Sequence, residues 1–232
     1  MKPVLFIITG SNGAGKSTVG ATYLPAEIQK AYKVFDGDKI ALHKRRELSA
    51  TIKSFKEARK IADEWLYQQF QQLIEDAINS KDHFAYEGHF RDPDTLKTPR
   101  KFKKHGYELS LIFMGLSDPH QSELRVIDRA KQGGHNVPFY EIESNFYGNL
   151  VTLNKYYKLF DEVVVIDTSK SLQHKVLLHV RKSEILSYSR IKDLPDWFVR
   201  FLPNLVKIIR TEENSKKRFL NYFSPDKNYW FL

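Results

Sequence analysis

The sequence contains no cysteine among its 232 residues, which excludes disulfide bonds and thiolate chemistry. No apolar run approaches the roughly 20 residues that a helix needs to cross a bilayer. The chain opens on an apolar strand pattern, without the charged and then apolar stretch of a signal segment. We therefore expect a cytoplasmic protein that has no membrane segment.

Acidic residues are in short supply, since 28 Asp and Glu face 37 Lys and Arg, for a net charge of +9. Most of the excess lies in residues 170–232, which carry 13 basic and six acidic side chains. A basic surface suits nucleic acid, an acidic protein or an anionic substrate, and it equally suits the solvated face of a small helical appendage. Charge alone leaves both interpretations open.

A glycine-rich segment, GSNGAGKS at residues 10–17, directly follows the apolar run 4–8. This is the GxxxxGK[ST] pattern, placed after a strand and before a helical stretch at 16–23, and it predicts a P-loop that binds a nucleoside triphosphate. Lys16 would reach the β- and γ-phosphates, and Ser17 would ligate Mg²⁺. The predicted ATP-binding residues are Gly10, Ser11, Asn12, Gly13, Ala14, Gly15, Lys16, Ser17 and Thr18.

Strand and helix patterns alternate along the chain. Apolar strands are predicted at 4–8, 33–35, 83–87, 107–114 and 162–167, with a further strand or hairpin at 177–188. Near-continuous apolar strands separated by helices indicate a parallel sheet covered on both faces. We predict an α/β P-loop NTPase fold with about five to six strands. Ligands of such sheets bind at the carboxyl ends of the strands.

Helix-start signals precede two long helical patterns. Ser54 and Glu57 have capping-box spacing and open a helix to about residue 79, whereas Asp118 and Pro119 open one to about residue 132. The first helix is predicted to pack on the sheet. Its expected apolar face consists of Ile61, Trp65, Phe70, Leu73 and Ile78.

Two regions differ in composition. Residues 1–170 are predicted to form a P-loop kinase-like core, and residues 171–232 a basic, aromatic-rich extension with short helices at 195–201 and 204–210. We expect the aromatic side chains of this extension to pack on the core, with a partner-binding surface as the alternative. These aromatic residues are Trp197, Phe198, Phe201, Tyr222, Phe223, Tyr229, Trp230 and Phe231.

The classes of P-loop protein differ in their other motifs. A guanine-specific Asn-Lys-x-Asp motif is absent, which disfavours a GTPase, and Asp167 after an apolar strand fits a motor or transporter ATPase only loosely. A kinase needs a carboxylate near the acceptor hydroxyl and arginines over the transferring phosphate. Asp38 is the candidate for that base, or else the N-cap of a helix that begins near residue 39. Arg125 and Arg129, four residues apart, share one helix face.

Residues 125–138 read RVIDRAKQGGHNVP and are followed by Ile142. This segment resembles the lid of the zeta-toxin family of P-loop kinases. The resemblance also includes the P-loop, Asp38 after the second strand, Glu87 at the end of the third and Asp167 at the end of the fifth. It covers roughly residues 1–170.

The resemblance implies a kinase that uses Mg·ATP and phosphorylates a UDP-activated amino sugar, and that a small antitoxin neutralises. By position, Lys16 and Ser17 bind phosphate and magnesium, and Asp38 is the base. Arg129, together with Arg125, is implied as a lid arginine. Glu87 is implied as a contact of the acceptor.

Two departures from the family pattern stand out. The family's Glu-Thr-Thr-Leu is Glu-Gly-His-Phe at residues 87–90, which leaves the acceptor open. His89 either bonds the acceptor or packs between Phe84 and Phe90. The arginines expected after the lid isoleucine are Glu-Ser-Asn at 143–145, and a glutamate near the transferring phosphate would repel it.

A second positive charge would then come from Arg91, Arg125 or Arg129, or transfer would be slow. Arg91 is also a candidate contact of the substrate. His135 is expected to cap the helix end or hold the lid turn, with phosphate contact as the alternative.

The sequence thus predicts a kinase for a small anionic or nucleotide-activated metabolite. The alternatives are a kinase for nucleosides or nucleic-acid ends, supported by the basic extension, and a non-catalytic ATP-binding module, supported by the missing arginines. Nucleic acid as a partner is not favoured.

Overall fold

The computed structural model describes residues 2–132, 134, 137–171 and 173–222, with side chains to residue 216. The strands are β1 (Val4–Gly10), β2 (Phe35–Asp36), β3 (Phe84–Gly88), β4 (Glu108–Gly115), β5 (Glu162–Asp167), β6 (Lys175–Arg181) and β7 (Glu184–Tyr188). The α-helices are α1 (Lys16–Val19), α2 (Ala26–Ala31), α3 (Gly37–Ser49), α4 (Phe55–Ser80), α5 (Lys97–Lys104), α6 (Pro119–Lys131), α7 (Phe139–Tyr156), α8 (Asp196–Phe201) and α9 (Pro203–Tyr222).

The seven strands form one sheet in the order β2-β3-β1-β4-β5-β6-β7. The first five strands in this order pair in parallel. Strands β6 and β7 form a hairpin that pairs antiparallel with β5. Strands β1 and β4 lie at the centre and are buried on both faces, which explains their continuous apolar sequence. The carboxyl ends of five parallel strands therefore meet at one edge of the sheet.

The predicted α/β fold with a mostly parallel sheet is confirmed. All five predicted parallel strands are present, and the region predicted as a strand or hairpin is the pair β6–β7, so the sheet has seven strands instead of five to six. The two helix starts are also as predicted. Ser54 accepts a hydrogen bond from the backbone N–H of Glu57 at 3.3 Å, and Asp118 accepts one from the N–H of Gln121 at 2.8 Å.

The predicted apolar face of α4 is wrong at two positions. Ile61 and Leu73 are each 41% exposed, and the buried positions are instead three alanines and Ile74. The small side chains at these positions let the neighbouring helix α3 approach closely.

The last two helices pack on the core. Trp197 and Phe198 of α8 are buried in the same apolar cluster as the central strands, so these rings of the extension lie against the core as expected. The sheet itself continues through residue 188, beyond the predicted boundary at 170, and that boundary stays a prediction. The side chain of Tyr222 and residues Phe223, Tyr229, Trp230 and Phe231 lie outside the described part. Within the described part, no helix is both long and apolar enough to span a membrane.

Candidate active site

The loop between β1 and α1 folds as a P-loop. Gly13 and Gly15 have φ angles of 71° and 91°, in the left-handed region where glycine is favoured. A Cβ built on Gly13 would lie 2.8 Å from the Cβ of Arg125, so this glycine also lets α6 approach the loop. The loop borders a cleft of about 490 Å³ at the carboxyl edge of the sheet. Lys16, Asp38, Glu87, Arg125 and Arg129 all line this cleft.

Lys16 lies folded against the P-loop. Its Nζ donates to the backbone carbonyls of Gly10 and Ser11, each at 3.0 Å. Burial lowers the pKa of Lys16 to about 8, and the negative charges of Glu87 and Asp38 oppose that effect. The ammonium is therefore held in the loop that is expected to receive phosphate.

Glu87, at the end of β3, contacts the P-loop. The hydroxyl of Ser17 donates to its Oε1 in a short hydrogen bond. The register of β2 and β3 places Asp36 opposite Glu87, and both residues line the cleft. Burial raises the pKa of Glu87 to about 7; the bond from Ser17 lowers it and the negative charge of Asp36 raises it.

Asp38 lies in the first turn of α3 and does not cap that helix. The N-cap is Asp36, whose Oδ1 accepts a hydrogen bond from the backbone N–H of Lys39 at 2.9 Å. The alternative of a capping role for Asp38 is therefore wrong, because the helix begins two residues earlier than expected. The Asp38 carboxylate faces the cleft and helps to keep Lys16 charged.

The two candidate arginines on α6 have different surroundings. Arg125 donates to the backbone carbonyl of Gly13 at 3.3 Å and to those of Thr168 and Ser169 at 2.8 and 2.9 Å. It thus ties the P-loop to the segment after β5. Arg129, one turn further, lines the cleft, and its positive charge opposes protonation of Lys16. Residues 133, 135 and 136 of the predicted lid, including His135, lie outside the described residues.

A second, smaller pocket of about 220 Å³ adjoins the cleft and shares Asn12 and Asp38 with it. His89 and Arg91 line this pocket, as does Glu141. The structure therefore divides the predicted site residues between two connected spaces, and Asp38 is common to both.

His89 borders the smaller pocket. Its Nδ1 lies 3.3 Å from Nδ2 of Asn149. Burial and the positive charge of Lys16 hold the pKa of His89 well below its usual range. Its surroundings therefore favour the neutral form of the imidazole.

A network of asparagines fastens α7 to the P-loop. Asn149 accepts hydrogen bonds from the hydroxyl of Thr9 at 3.0 Å and from the backbone N–H of Phe90 at 2.6 Å. Asn145 donates to Oδ1 of Asn12 at 2.9 Å. Asn12 was predicted to bind ATP, whereas no role was predicted for Asn145 or Asn149. Two asparagines on one helix face among apolar neighbours are nevertheless a signal of buried polar contacts.

Glu143 does not lie near the expected phosphate position. It is exposed on α7 and lines neither the cleft nor the adjoining pocket. The expected repulsion is therefore wrong, because the helix turns Glu143 outwards and Asn145 inwards.

Asp167 at the end of β5 is occupied by other contacts. Its Oδ1 accepts from the backbone N–H of Ser169 at 3.0 Å and from the indole N–H of Trp197 at 3.3 Å. It does not line the cleft, so its surroundings give no support to a motor-type ATPase.

A family model described as Zeta toxin matches residues 1–184, most of the chain. The chain belongs to the zeta toxin family. The resemblance that the lid and P-loop motifs indicated is thereby confirmed. A search of curated proteins finds no match.

Solved structures share the fold at low sequence identity. A chain of the AvrRxo1-ORF1:-ORF2 complex with ATP superposes with a TM-score of 0.65 at 13% identity, covering 87% of this chain and 64% of that one. A chain of the PezAT toxin-antitoxin system of Streptococcus pneumoniae gives a TM-score of 0.58 at 18% identity, covering 95% and 87%. This zeta toxin family member thus spans less than two thirds of the AvrRxo1 chain that it matches.

Proposed function

We propose that the chain is a kinase that transfers the γ-phosphate of ATP to a hydroxyl group of a small metabolite. The observation that carries the proposal is the convergence of the P-loop lysine, Asp38 and Arg129 on one cleft. Membership of the zeta toxin family supports an ATP-dependent kinase-like activity. A solved structure of similar fold was determined with ATP.

Asp38 is assigned as the base because it lies where the cleft and the smaller pocket meet. An acceptor in the smaller pocket would lose its hydroxyl proton to the Asp38 carboxylate. Its oxygen would bond to the γ-phosphorus as the bond to the bridging oxygen breaks, and ADP would leave. Lys16 and Arg129 would balance the charge on the phosphoryl oxygens. Arg125 would act by positioning the P-loop.

Magnesium fits the donors beside the P-loop, where the hydroxyl of Ser17 and the carboxylates of Glu87 and Asp36 lie together. Oxygen ligands of this kind are those that Mg²⁺ prefers. A bound ion would neutralise the negative charge of the β- and γ-phosphate oxygens.

The acceptor is proposed to be anionic or nucleotide-activated, with a UDP-amino sugar as the first candidate from the family resemblance. Arg91 and His89 in the smaller pocket would provide a positive charge and a neutral hydrogen-bonding group.

A small antitoxin protein is the proposed partner. The support is family membership, together with a solved structure of similar fold from a toxin-antitoxin system. The cytoplasmic location stays a prediction from composition.

The deciding experiment is a Mg·ATP turnover assay with UDP-amino sugars, nucleosides and 5′-hydroxyl oligonucleotides as acceptors. We expect phosphate on the UDP-amino sugar class, and none with Lys16→Ala. Phosphate on oligonucleotides would overturn the acceptor assignment. ATP binding without transfer to any acceptor would favour the non-catalytic ATP-binding module.

A further inference from the structure

A row of four side chains crosses the sheet near the amino ends of its parallel strands, away from the P-loop. Strand pairing places Phe6 of β1, Ser110 of β4, Glu162 of β5 and Arg181 of β6 opposite one another in turn. Because residues directly opposite on paired strands share one face of a sheet, the four side chains form a row on that face. All four line a pocket of about 460 Å³ between the sheet and α2.

None of the described residues that we assign to phosphoryl transfer lines this pocket. We propose that the pocket is a second binding site, which takes an amino acid with a large apolar side chain. Glu162 and Ser110 receive its ammonium group, Arg181 receives its carboxylate, and the wall around Phe6 receives its side chain. The inference is independent of the proposed function, because it uses none of the catalytic residues.

The Phe6 end of the pocket is apolar and aromatic. The centroid of the Phe6 ring lies 6.1 Å from that of the His83 imidazole. The Tyr32 ring meets the same imidazole edge-on, with 5.5 Å between the centroids. Ile28 of α2 adds an aliphatic side chain to this wall. An apolar ligand group that covers the wall leaves water, which favours its binding.

The middle of the row is a carboxylate held on the face of the sheet. The hydroxyl of Ser110 donates to Oε2 of Glu162 at 2.8 Å, and Nε2 of His179 lies 2.9 Å from Oε1. A carboxylate has about four lone-pair sites, so each oxygen of Glu162 can accept a further hydrogen bond. The Ser110 hydroxyl oxygen can accept one as well. An ammonium group, which only donates, matches these acceptors.

The other acidic side chains of the pocket are engaged or lie at its rim. Glu108 forms an ion pair with Lys182 at 2.9 Å, and Asp161 accepts a hydrogen bond from a backbone N–H of β4 at 2.9 Å. Glu27 is exposed on α2. Glu162 is therefore the carboxylate that is placed to pair with a positive charge inside the pocket.

Arg181 supplies the opposite charge at the far end of the row. Within the described part of the chain its guanidinium forms no ion pair, although Glu162 lies opposite it on β5. Neighbouring strands are about 4.8 Å apart, so Phe6 and Arg181 start about 14 Å from each other. A ligand that spans the row has its apolar body at one end and two adjacent opposite charges at the other. An amino acid with a large apolar side chain has this order of groups.

The test is isothermal titration calorimetry of the full chain with L-phenylalanine, phenethylamine and 3-phenylpropionate. Phenethylamine lacks the carboxylate, and 3-phenylpropionate lacks the ammonium group. We expect L-phenylalanine to bind about 10–100-fold more tightly than either. Glu162→Gln and Arg181→Gln should each weaken its binding by about the same factor. The matched controls Glu184→Gln and Arg190→Gln, exposed changes outside the pocket, should leave it unchanged.

Equal affinity for L-phenylalanine and a probe with a single charge would overturn the inference, as would no binding of either L-phenylalanine or L-leucine. Displacement by a saturating ATP analogue would place the amino acid in the catalytic cleft and would also contradict it. Lys16→Ala should bind L-phenylalanine like the wild type, which separates this site from the proposed function. Thermal melting checks that the variants fold. If Glu162→Gln does not, the three probes on the wild-type protein decide.

Discussion

The indole N–H of Trp197 donates to Oδ1 of Asp167 across 3.3 Å. The same oxygen accepts a hydrogen bond from the backbone N–H of Ser169. The carbonyl of Ser169 accepts a hydrogen bond from Arg125. The Trp197 ring also covers Gly115, where a Cβ would lie 2.2 Å from the ring. Helix α8 is thus anchored beneath the segment that Arg125 ties to the P-loop.

This anchor predicts a large effect on stability. Trp197 is 2% exposed, and Trp197→Ala should lower the free energy of unfolding by about 3–5 kcal/mol. Trp197→Phe keeps most of the packing and loses the N–H donor, so we expect a smaller loss of about 1–2 kcal/mol. Urea denaturation measures the free energy of unfolding of both variants. Val199→Ala, on the exposed side of the same helix, is the control, and an equal loss in Val199→Ala would contradict the anchoring role.

The asparagine network should contribute to the rigidity of the site. Asn149→Leu removes the acceptor of two buried donors, the Thr9 hydroxyl and the Phe90 N–H. We expect a loss of about 1–3 kcal/mol for each donor left unpaired, measured by urea denaturation. Asn79→Ala, an exposed change on α4, should cost less than about 0.5 kcal/mol. Equal stability of Asn149→Leu and Asn79→Ala would mean that the network is not stabilising.

Arg129 and Glu143 should differ in their effect on turnover. Arg129 lines the cleft whereas Glu143 faces solvent. Arg129→Ala should reduce kcat by about 10³-fold or more if it acts as the arginine over the transferring phosphate. Glu143→Ala should change kcat less than twofold. Steady-state kinetics with the identified acceptor compare them, and a large gain in kcat for Glu143→Ala would show that its charge does reach the phosphate.

Periodicity and motif spacing predicted the parallel sheet, the P-loop and the starts of α4 and α6. Those features depend on short-range signals such as the capping residue Ser54 or the glycines of the loop. Sequence reasoning did not find the placement of Asn145 and Glu143, because residues two positions apart lie on opposite sides of a helix and the motif does not say which side faces the P-loop. It also did not predict the contact of Glu87 with Ser17, which depends on the parallel register of β1 and β3.

The central claim is that Asp38 is the base of a phosphoryl transfer, and Asp38→Asn tests it most directly. The substitution keeps the side chain's size and removes its ability to take a proton. The measurement is kcat with the identified acceptor, alongside the Kd of ATP. Glu47→Gln, an exposed carboxylate change in the same helix, is the control.

We predict that Asp38→Asn lowers kcat by about 100-fold or more, with ATP binding nearly unchanged and Glu47→Gln fully active. Full activity in Asp38→Asn would contradict the account.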